Sequence, residues 1–230
     1  MDRISIGTVD GGVVELYDST KCNANEECRK DFVANIATLS YGNDVAKNPD
    51  ALWDLLSRNG HSSCFEFIRT VYHETIGGSL RNETFPTDED MGTKPEENKG
   101  KFFLFKIKTP IFVARQFMRH RGFSYLEMSR RYTKASKVPF EFYMADPNDE
   151  TAKKFNESAV AEYDRRLSAG MKPEVARGCI PVDAYTVFWC MADKATLDHF
   201  FNLRCSPKAQ PQMRNIAMEM QRQVEEYMRR

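Results

Sequence analysis

The sequence predicts an α+β domain in which a mixed or antiparallel sheet packs against helices and the C-terminal half is mostly helical. Two observations support this class. Stretches rich in aromatic and β-branched residues are concentrated before residue 110, and helical spacing of apolar residues dominates after residue 149. A chain of 230 residues can bury roughly 70% of the surface that its unfolded form exposes. We therefore expect a single domain over residues 1–230.

The predicted sheet begins with an N-terminal hairpin. Apolar residues alternate with polar ones on both sides of Asp10-Gly11-Gly12, which is typical of a turn between two strands. Phe65–Tyr72 and Lys101–Thr109 are rich in aromatic and β-branched residues, and we expect them to pair as strands. Between them, residues 77–100 contain glycines, prolines and six acids with little to bury, so they are predicted to be a surface insertion.

Helices are predicted along the chain between the hairpin and the second pair of strands, and again after that pair. Glu26 opens a segment with helical spacing that ends at Tyr41-Gly42-Asn43. Asn48 can cap a second helix, Pro49 suits its first position, and Gly60 suits its C-terminal end. A long helix is predicted near Asp149–Ser168 and a short one from Pro173, followed by an aromatic segment at Ala184–Met191. Two further helices are predicted near Asp193–Leu203 and from about Gln210.

Positive charge is concentrated at residues 111–134. This segment carries six lysines and arginines against one acid, in a chain whose 33 basic residues balance 33 acidic ones. Ile111–Arg121 is predicted to be a helix that places Arg115 and Arg119 on one face, so both guanidinium groups would point into one site. Planar guanidinium groups suit phosphates and carboxylates. The balanced total argues against a protein that coats nucleic acid or membranes through bulk charge, so anion binding is expected to be local.

The cysteines and the N-terminus indicate the cellular compartment. Six cysteines lie at irregular spacings without a C-x-x-C pair, as in reduced intracellular proteins. The N-terminus lacks the apolar stretch of a signal peptide, and no apolar run approaches the length of a membrane span. We expect a cytoplasmic protein, in the host cytoplasm if the chain is viral.

Three ordered sequence elements resemble the flavin-dependent thymidylate synthases. The signature of that family is Arg-His-Arg followed after seven residues by Ser, and Arg119-His120-Arg121 with Ser129 has this spacing. Asn59–Glu66 looks like the family's Gly-His element, and Phe201–Arg204 matches the end of its conserved helix. The similarity runs from about residue 31 to residue 219, apart from the insertion. Three elements in register are far more specific than an isolated Arg-His-Arg triplet.

The resemblance implies an enzyme that converts dUMP to dTMP by reductive methylation. Methylenetetrahydrofolate would donate the one-carbon group, FAD reduced by NADPH would supply the hydride, and no covalent enzyme nucleophile would take part. A homotetramer with shared active sites is implied, and no nucleic acid or membrane partner is expected. A C-terminal apolar stripe could serve as a subunit contact or pack on its own domain; it comprises Met213, Ile216, Met220, Val224 and Tyr227.

The resemblance also implies the residues of the site. Arg204 would be catalytic, facing the pyrimidine and favouring its ionised form; its structural alternative is a cation at a helix C-terminus. The residues implied to bind dUMP are Gln116, Arg119, Glu127, Met128, Ser129, Arg130, Arg131, Arg177 and Arg204. The residues implied to bind FAD are His61, Ser63, Arg119, His120, Arg121, Glu127, Asp193 and His199. No G-x-G-x-x-G fingerprint is present, so a Rossmann-type mode of FAD binding is not expected.

Other chemistries are weaker interpretations of the same residues. Ser129 as a nucleophile would need an activating base, so a hydroxyl that donates to the substrate is favoured. A zinc site built from His61, Cys64 and His73 lacks a fourth ligand, and no metal is expected. Basic residues near aromatic ones leave a nucleic-acid-binding module as an alternative class.

Five positions depart from the family pattern. Leu126 and Asp193 stand where the family commonly has Asn, Phe67 and Lys208 where it often has His, and Ala195 where it commonly has Arg. The acid at Asp193 and the missing arginine at Ala195 should weaken contacts to cofactor phosphates unless Lys194 or Lys208 compensates. These departures leave one further alternative open, a diverged flavin- and nucleotide-binding oxidoreductase of the same family that lacks dTMP synthesis.

Overall fold

The computed structural model describes residues 1–19, 26–43, 45–68 and 102–230. Within them, the strands form one antiparallel sheet in the order β1-β2-β3-β5-β4. The strands are β1 (Arg3–Val9), β2 (Gly12–Tyr17), β3 (Phe102–Pro110), β4 (Ser124–Glu127) and β5 (Tyr185–Asp193). The α+β class is confirmed, and the sheet is antiparallel throughout the part described.

The helices of the described residues flank this sheet. They are α1 (Glu26–Thr38), α2 (Pro49–Arg58), α3 (Ile111–Phe117), α4 (Glu150–Ser168), α5 (Pro173–Ala176), α6 (Lys194–Arg204) and α7 (Pro211–Arg229). Local capping explains several starts. The Asn48 side chain accepts a hydrogen bond from the Ala51 backbone at 3.1 Å, and Asp149 accepts from two backbone amides of α4. None of these helices is long and apolar enough to cross a bilayer.

Alternation along β3 divides the core into two layers. Phe103, Phe105 and Ile107 lie in one apolar cluster with residues of α3, α6 and α7. Phe102 and Leu104 lie in a second cluster, on the opposite face, with residues of α1. The sheet is therefore the middle layer between helices on both faces.

The C-terminal apolar stripe packs on its own domain. Met213, Ile216, Met220 and Val224 are each at most 3% exposed within the first cluster, and Tyr227 packs edge-on against a phenylalanine of β3. This contact accounts for the helical spacing of the stripe, so the stripe gives no separate evidence for a subunit interface.

The predicted strand at Phe65–Tyr72 is wrong for the residues that the structure describes. Ser62–Cys64 form a 3-10 turn and residues 66–68 are helical, whereas residues 69–72 and the predicted insertion at 77–100 lie outside the described part. β3 is already paired on both edges, with β2 and β5, so it has no edge left for another strand. Phe65 and Phe67 are fully buried, and a short apolar run does not distinguish a buried strand from a buried helical turn.

The helix predicted at Ile111–Arg121 ends early, at Phe117. The chain turns there because it must reach β4, which pairs with β5 and was not predicted. The Tyr125 hydroxyl of β4 donates to the Phe117 carbonyl oxygen at 2.6 Å and lies 3.3 Å from that of His120. A side chain from the strand thus satisfies backbone groups at the end of the helix.

Candidate active site

Consecutive parts of the basic segment line two different cavities. Glu127, Met128 and Arg130 line a cavity of about 520 Å³, called here the Arg177 cavity because Arg177 lies in its wall. The Arg119–Phe123 turn lines a second cavity of about 660 Å³, called here the His120 cavity. Where the sequence predicts one local anion-binding site, the structure has two arginine-lined cavities.

The end of α3 separates the two arginines that were expected to share a site. Arg115 lines the Arg177 cavity, whereas Arg119 follows the helix end and lines the His120 cavity. Met118 still belongs to the first cavity, so the two spaces are adjacent along the chain. The expectation that Arg115 and Arg119 point into one site is therefore wrong, because α3 ends before Arg119.

The Arg177 cavity contains a positioned carboxylate among its cations. Glu127 of β4 is paired with Phe188 of β5, which places its side chain on the same sheet face as the diagonal neighbour Thr186. The Thr186 hydroxyl donates to Glu127 Oε1 at 2.6 Å. Together with the guanidinium groups, the cavity offers fixed hydrogen-bond acceptors as well as donors, which suits a ligand that combines a phosphate with hydroxyl or ring N–H groups.

Arg130 lines this cavity and also holds a neighbouring segment of its wall in place. Its guanidinium carbon lies 4.3 Å from the centre of the Phe140 ring, and its terminal nitrogens donate to the carbonyl oxygens of Val138 and Pro139. Burial lowers the pKa of Arg130 from its ordinary value, although an arginine stays protonated under all working conditions. Part of its hydrogen-bonding capacity therefore fixes the 138–140 segment.

The His120 cavity is formed where the Arg-His-Arg turn meets the start of α6. Thr196 and His199 of α6 face Arg119, His120 and Arg121 across it. The approach is close: a side chain at Gly122 would come within 2.8 Å of the Thr196 methyl group. Glycine at this position therefore allows the cationic turn to lie against α6.

Arg204, at the end of α6, holds His120 by a hydrogen bond. Arg204 Nε donates to His120 Nε2 at 2.9 Å, so this ring nitrogen is unprotonated. Burial lowers the pKa of His120, and the charges of Arg204 and His199 lower it further. The Phe200 ring packs edge-on at 4.9 Å and contributes to that burial. His120 is therefore a neutral acceptor within a cationic cavity.

Asp193 has a structural role at the start of α6. Its carboxylate accepts from the Thr196 backbone at 2.8 Å and from the Thr196 hydroxyl at 2.6 Å, which makes it the N-cap of the helix. Lys194 pairs with Asp198 at 2.6 Å. Ala195 lines the His120 cavity. The Asp193 carboxylate stays close to this cavity but is engaged by the helix.

Several predicted residues do not line either cavity within one chain. Gln116 donates instead to the Gln210 side chain, and Ser129 accepts from the Arg131 backbone at 3.3 Å. Arg131 is exposed, with Nε 4.0 Å from a carboxylate oxygen of Glu174. The exposed residues His61 and Ser63 lie in the turn after α2 and likewise line neither cavity.

The sequence interpretation omitted several residues that the structure places in the cavities, and they are Arg115, Glu174, Tyr185, Thr186 and Thr196. Arg115 was expected to point into the site together with Arg119, but it was not among the residues implied to bind a ligand. Thr186 could be found only from the register of β4 against β5, and β4 was not predicted from the sequence. Thr196 follows from the capping pattern that begins at Asp193.

The metal alternative has little support from the described residues. Among them, no group of three or more histidine, cysteine or acidic side chains is arranged to hold a metal ion; His73 lies outside that part. Cys64 is buried in the core and its thiol donates to the His61 carbonyl oxygen at 3.2 Å. Burial raises the pKa of Cys64 to about 11, so the thiolate that a metal requires is disfavoured.

The fold and the two cavities together define a class, that of α+β enzymes with adjacent cationic spaces for anionic small molecules. Residues 101–228, more than half of the chain, match the family described as "Thymidylate synthase complementing protein". The chain is 28% identical over 245 residues to the flavin-dependent thymidylate synthase of Thermus thermophilus, covering 97% of this chain and 75% of that relative. It is also 28% identical over 233 residues to the enzyme of the same name from Pseudothermotoga lettingae, with 94% and 86% covered.

One solved structure shows a similar fold. The UMP/dUMP methylase PolB from Streptomyces cacaoi, bound with 5-Br UMP, superposes with a TM-score of 0.50 at 24% identity, covering 94% of this chain and 93% of that one. The chain therefore belongs to the flavin-dependent thymidylate synthase family, and it is an enzyme of the methyltransferase type. The resemblance first drawn from the Arg-His-Arg spacing is confirmed.

Proposed function

We propose that this enzyme converts dUMP to dTMP by reductive methylation, with methylenetetrahydrofolate as the one-carbon donor and NADPH as the reductant of FAD. One observation carries the proposal. The Arg-His-Arg turn and His199 line one cavity, and Arg204 is hydrogen-bonded to His120, while Glu127, Arg130 and Arg177 line the adjacent cavity. This division provides separate cationic spaces for a flavin cofactor and a nucleotide.

The His120 cavity has the chemistry that FAD phosphates require. Arg119 and Arg121 are exposed at its edge, and the N-terminus of α6 points its first turn toward the same space through Thr196. His120 adds a neutral ring that can exchange its hydrogen bond to Arg204 for one to the cofactor. FAD, when bound and reduced, supplies the hydride that completes the methyl group.

The Arg177 cavity fits dUMP. Arg115 and Arg177 are exposed cations for a phosphate dianion, and the Glu127 carboxylate, held by Thr186, is an acceptor for a hydroxyl or ring N–H group. Arg204 is the candidate catalytic residue. Within the described residues only its Nε makes a hydrogen bond, to His120, so its terminal nitrogens are proposed to stabilise the negative charge that develops on the pyrimidine.

The decisive assay is tritium release from dUMP labelled at carbon 5, in the presence of NADPH and methylenetetrahydrofolate. We expect release with the native enzyme and a loss of about 10²- to 10³-fold in turnover for Arg204→Ala, because a fixed cation facing the developing anion is removed. Arg204→Lys is the matched control, since it keeps the charge but loses the planar fork.

The same purified protein also distinguishes the two alternative functions. A yellow protein that binds dUMP without tritium release would be the diverged oxidoreductase. A colourless protein with steep salt-dependent binding to polynucleotide would be the nucleic-acid-binding module.

We further propose a homotetramer in which subunits share active sites. The supporting observation is that His61 and Ser63 are exposed and line neither cavity of their own chain, as expected if they complete the site of a neighbouring subunit. Mass measurement by light scattering tests the assembly. Mixing inactive His61→Ala and Arg204→Ala subunits, followed by subunit exchange, should restore part of the activity; no recovery would place both residues in the same chain's site.

A further inference from the structure

A stack of three side chains in the wall of the Arg177 cavity holds one guanidinium group in place. The guanidinium carbon of Arg130 lies 4.3 Å from the centre of the Phe140 ring, and both residues line the cavity. The Tyr163 ring of α4 packs edge-on against Phe140, with ring centres 5.2 Å apart. Tyr163 is fully buried, so the stack is anchored in the packed interior of the domain.

Backbone carbonyl groups restrict Arg130 in a second way. Its two terminal nitrogens donate to the carbonyl oxygens of Val138 and Pro139, the residues just before Phe140. A guanidinium group carries five N–H donors, and these contacts use two of them, so three remain for a ligand. An arginine that is free to move loses rotamer entropy when a ligand orders it. At Arg130 this ordering has already taken place, which favours binding.

Arg130 is the fixed member of a cluster of cations. Arg115 and Arg177 line the same cavity, and within the described residues their side chains have no hydrogen-bond or ion-pair partner. Burial raises the pKa of Tyr163, while the charges of Arg130 and Arg177 each lower it in part, so both guanidinium groups lie near this phenol. A phosphate dianion suits such a cluster because it accepts several charge-assisted hydrogen bonds.

We propose that Phe140, supported by Tyr163, is a positioning residue that holds Arg130 in the orientation in which it binds the phosphate group of the nucleotide. This role rests on the proposed function in one respect, that the nucleotide occupies the Arg177 cavity. Neither aromatic residue is among those that the resemblance implies. Because Phe140 acts through Arg130, its replacement should matter only while Arg130 is present.

The test is a double-mutant cycle, measured by calorimetric titration of dUMP into the full-length protein. Phe140→Leu should weaken dUMP binding about three- to tenfold, because the aromatic face that orders the guanidinium group is lost. Arg130→Met should weaken it about tenfold or more, because a charge-assisted contact to phosphate is lost. In the Arg130→Met protein, Phe140→Leu should cause no further loss, since both substitutions remove the same contact.

Two further variants separate positioning from simple packing. Phe140→Tyr keeps the aromatic face, so its dUMP affinity should stay within about twofold of the native value. Phe142→Leu is the matched control: its ring centre lies 6.4 Å from that of Phe140, but it does not line the Arg177 cavity. Its dUMP affinity should be near native. If Phe140→Leu does not fold, Arg130→Lys decides the question, since it keeps the charge without the planar face and should bind dUMP several-fold more weakly.

Additive losses in the cycle, native dUMP affinity in Phe140→Leu, or equal losses in Phe140→Leu and Phe142→Leu would each overturn the proposed role of Phe140. Native affinity in Arg130→Lys would do the same. Failure of the proposed function would look different. Coupled losses of dUMP binding without tritium release would refute the reaction alone, whereas tritium release with additive losses would refute only the role of Phe140. Absence of dUMP binding to the native protein would overturn both.

Discussion

The hydrogen bond between Arg204 and His120 links two residues that the resemblance assigned to different ligands. Arg204 was expected at the pyrimidine and His120 at the flavin, yet Arg204 Nε donates to His120 Nε2 at 2.9 Å. The bond requires an unprotonated Nε2, and burial together with the nearby positive charges keeps the ring neutral. A proton on His120 would turn this attraction into repulsion between two cations.

Stability should therefore decrease in mildly acidic solution. The pKa of His120 is lowered from its ordinary value of 6.5, so below pH 6.5 the unfolded chain binds more protons than the folded one. The free energy of unfolding should fall as the pH falls through 6.5 toward the lower folded pKa, and His120 should contribute no pH dependence well above 6.5. Urea unfolding at several pH values measures this.

The matched variant for this measurement is His120→Gln. Glutamine can accept from Arg204 but does not titrate, so its stability should depend less on pH in the acidic range than that of the native protein. An identical pH dependence in both proteins would show that other groups cause the loss.

At the scale of the element, the position of Leu126 in β4 explains what its difference from the family pattern affects. Leu126 is 8% exposed and is paired with Trp189 on the face that packs against α1, whereas Glu127, next along the strand, faces the Arg177 cavity. The strand alternation thus assigns Leu126 to the core and its neighbour to the site. The departure from the family's asparagine changes packing and leaves the cavity lining as it is.

Replacing Leu126 by the family's residue should destabilise the protein. Leu126→Asn buries an amide where an aliphatic side chain packs, and we expect a loss of about 2–4 kcal/mol in the free energy of unfolding. Leu126→Met, which keeps the volume and the apolar character, should cost less than about 1.5 kcal/mol. Urea unfolding distinguishes them, and similar stability for both variants would place residue 126 outside a packed core.

Helix α6 depends on Asp193 for its start and carries His199 and Arg204 toward the His120 cavity. Asp193→Ala removes the cap and should cost about 1 kcal/mol of stability. Asp193→Asn keeps an oxygen acceptor, so its stability should change little, and it removes a negative charge beside the proposed phosphate site. We expect Asp193→Asn to bind flavin more tightly than the native protein, as measured by equilibrium titration. Weaker flavin binding by this variant would mean that the carboxylate contributes directly to cofactor binding.

The elements that sequence reasoning recovered are those set by local signals. Asn48 caps a helix that begins where the capping pattern predicts, and helical spacing is sufficient to identify α1, α4 and α7. The end of α3 and the existence of β4 depend on a tyrosine hydroxyl and on pairing with a strand some 60 residues away, so no local pattern contains them. The site residues are proposals that rest on the signature, whereas the turn after Phe117 determines that Arg115 and Arg119 line different cavities.

At the scale of the whole molecule, both arginine-lined cavities belong to one side of the sheet. α3 and α6, which carry Arg115 and His199, contribute to the same apolar cluster as α7. α1 lies on the opposite side, together with the turn that contains His61 and Ser63. A common sheet face therefore holds the proposed nucleotide and cofactor spaces, and the chain passes from the lining of one to the lining of the other between Met118 and Arg119.

If the cavities serve different ligands, substitutions in them should have separable effects. Arg177→Ala should weaken dUMP binding about tenfold or more, because a charge-assisted contact to phosphate is lost, while flavin affinity stays near the native value. Arg121→Ala should have the reverse effect. Arg229→Ala is the control, since this exposed arginine of α7 pairs with Glu225 at 3.4 Å and lines neither cavity. Calorimetric titration of each ligand into each variant gives the comparison. Loss of both affinities in both variants would mean that the two spaces act as one binding site, because a shared site transmits either substitution to either ligand.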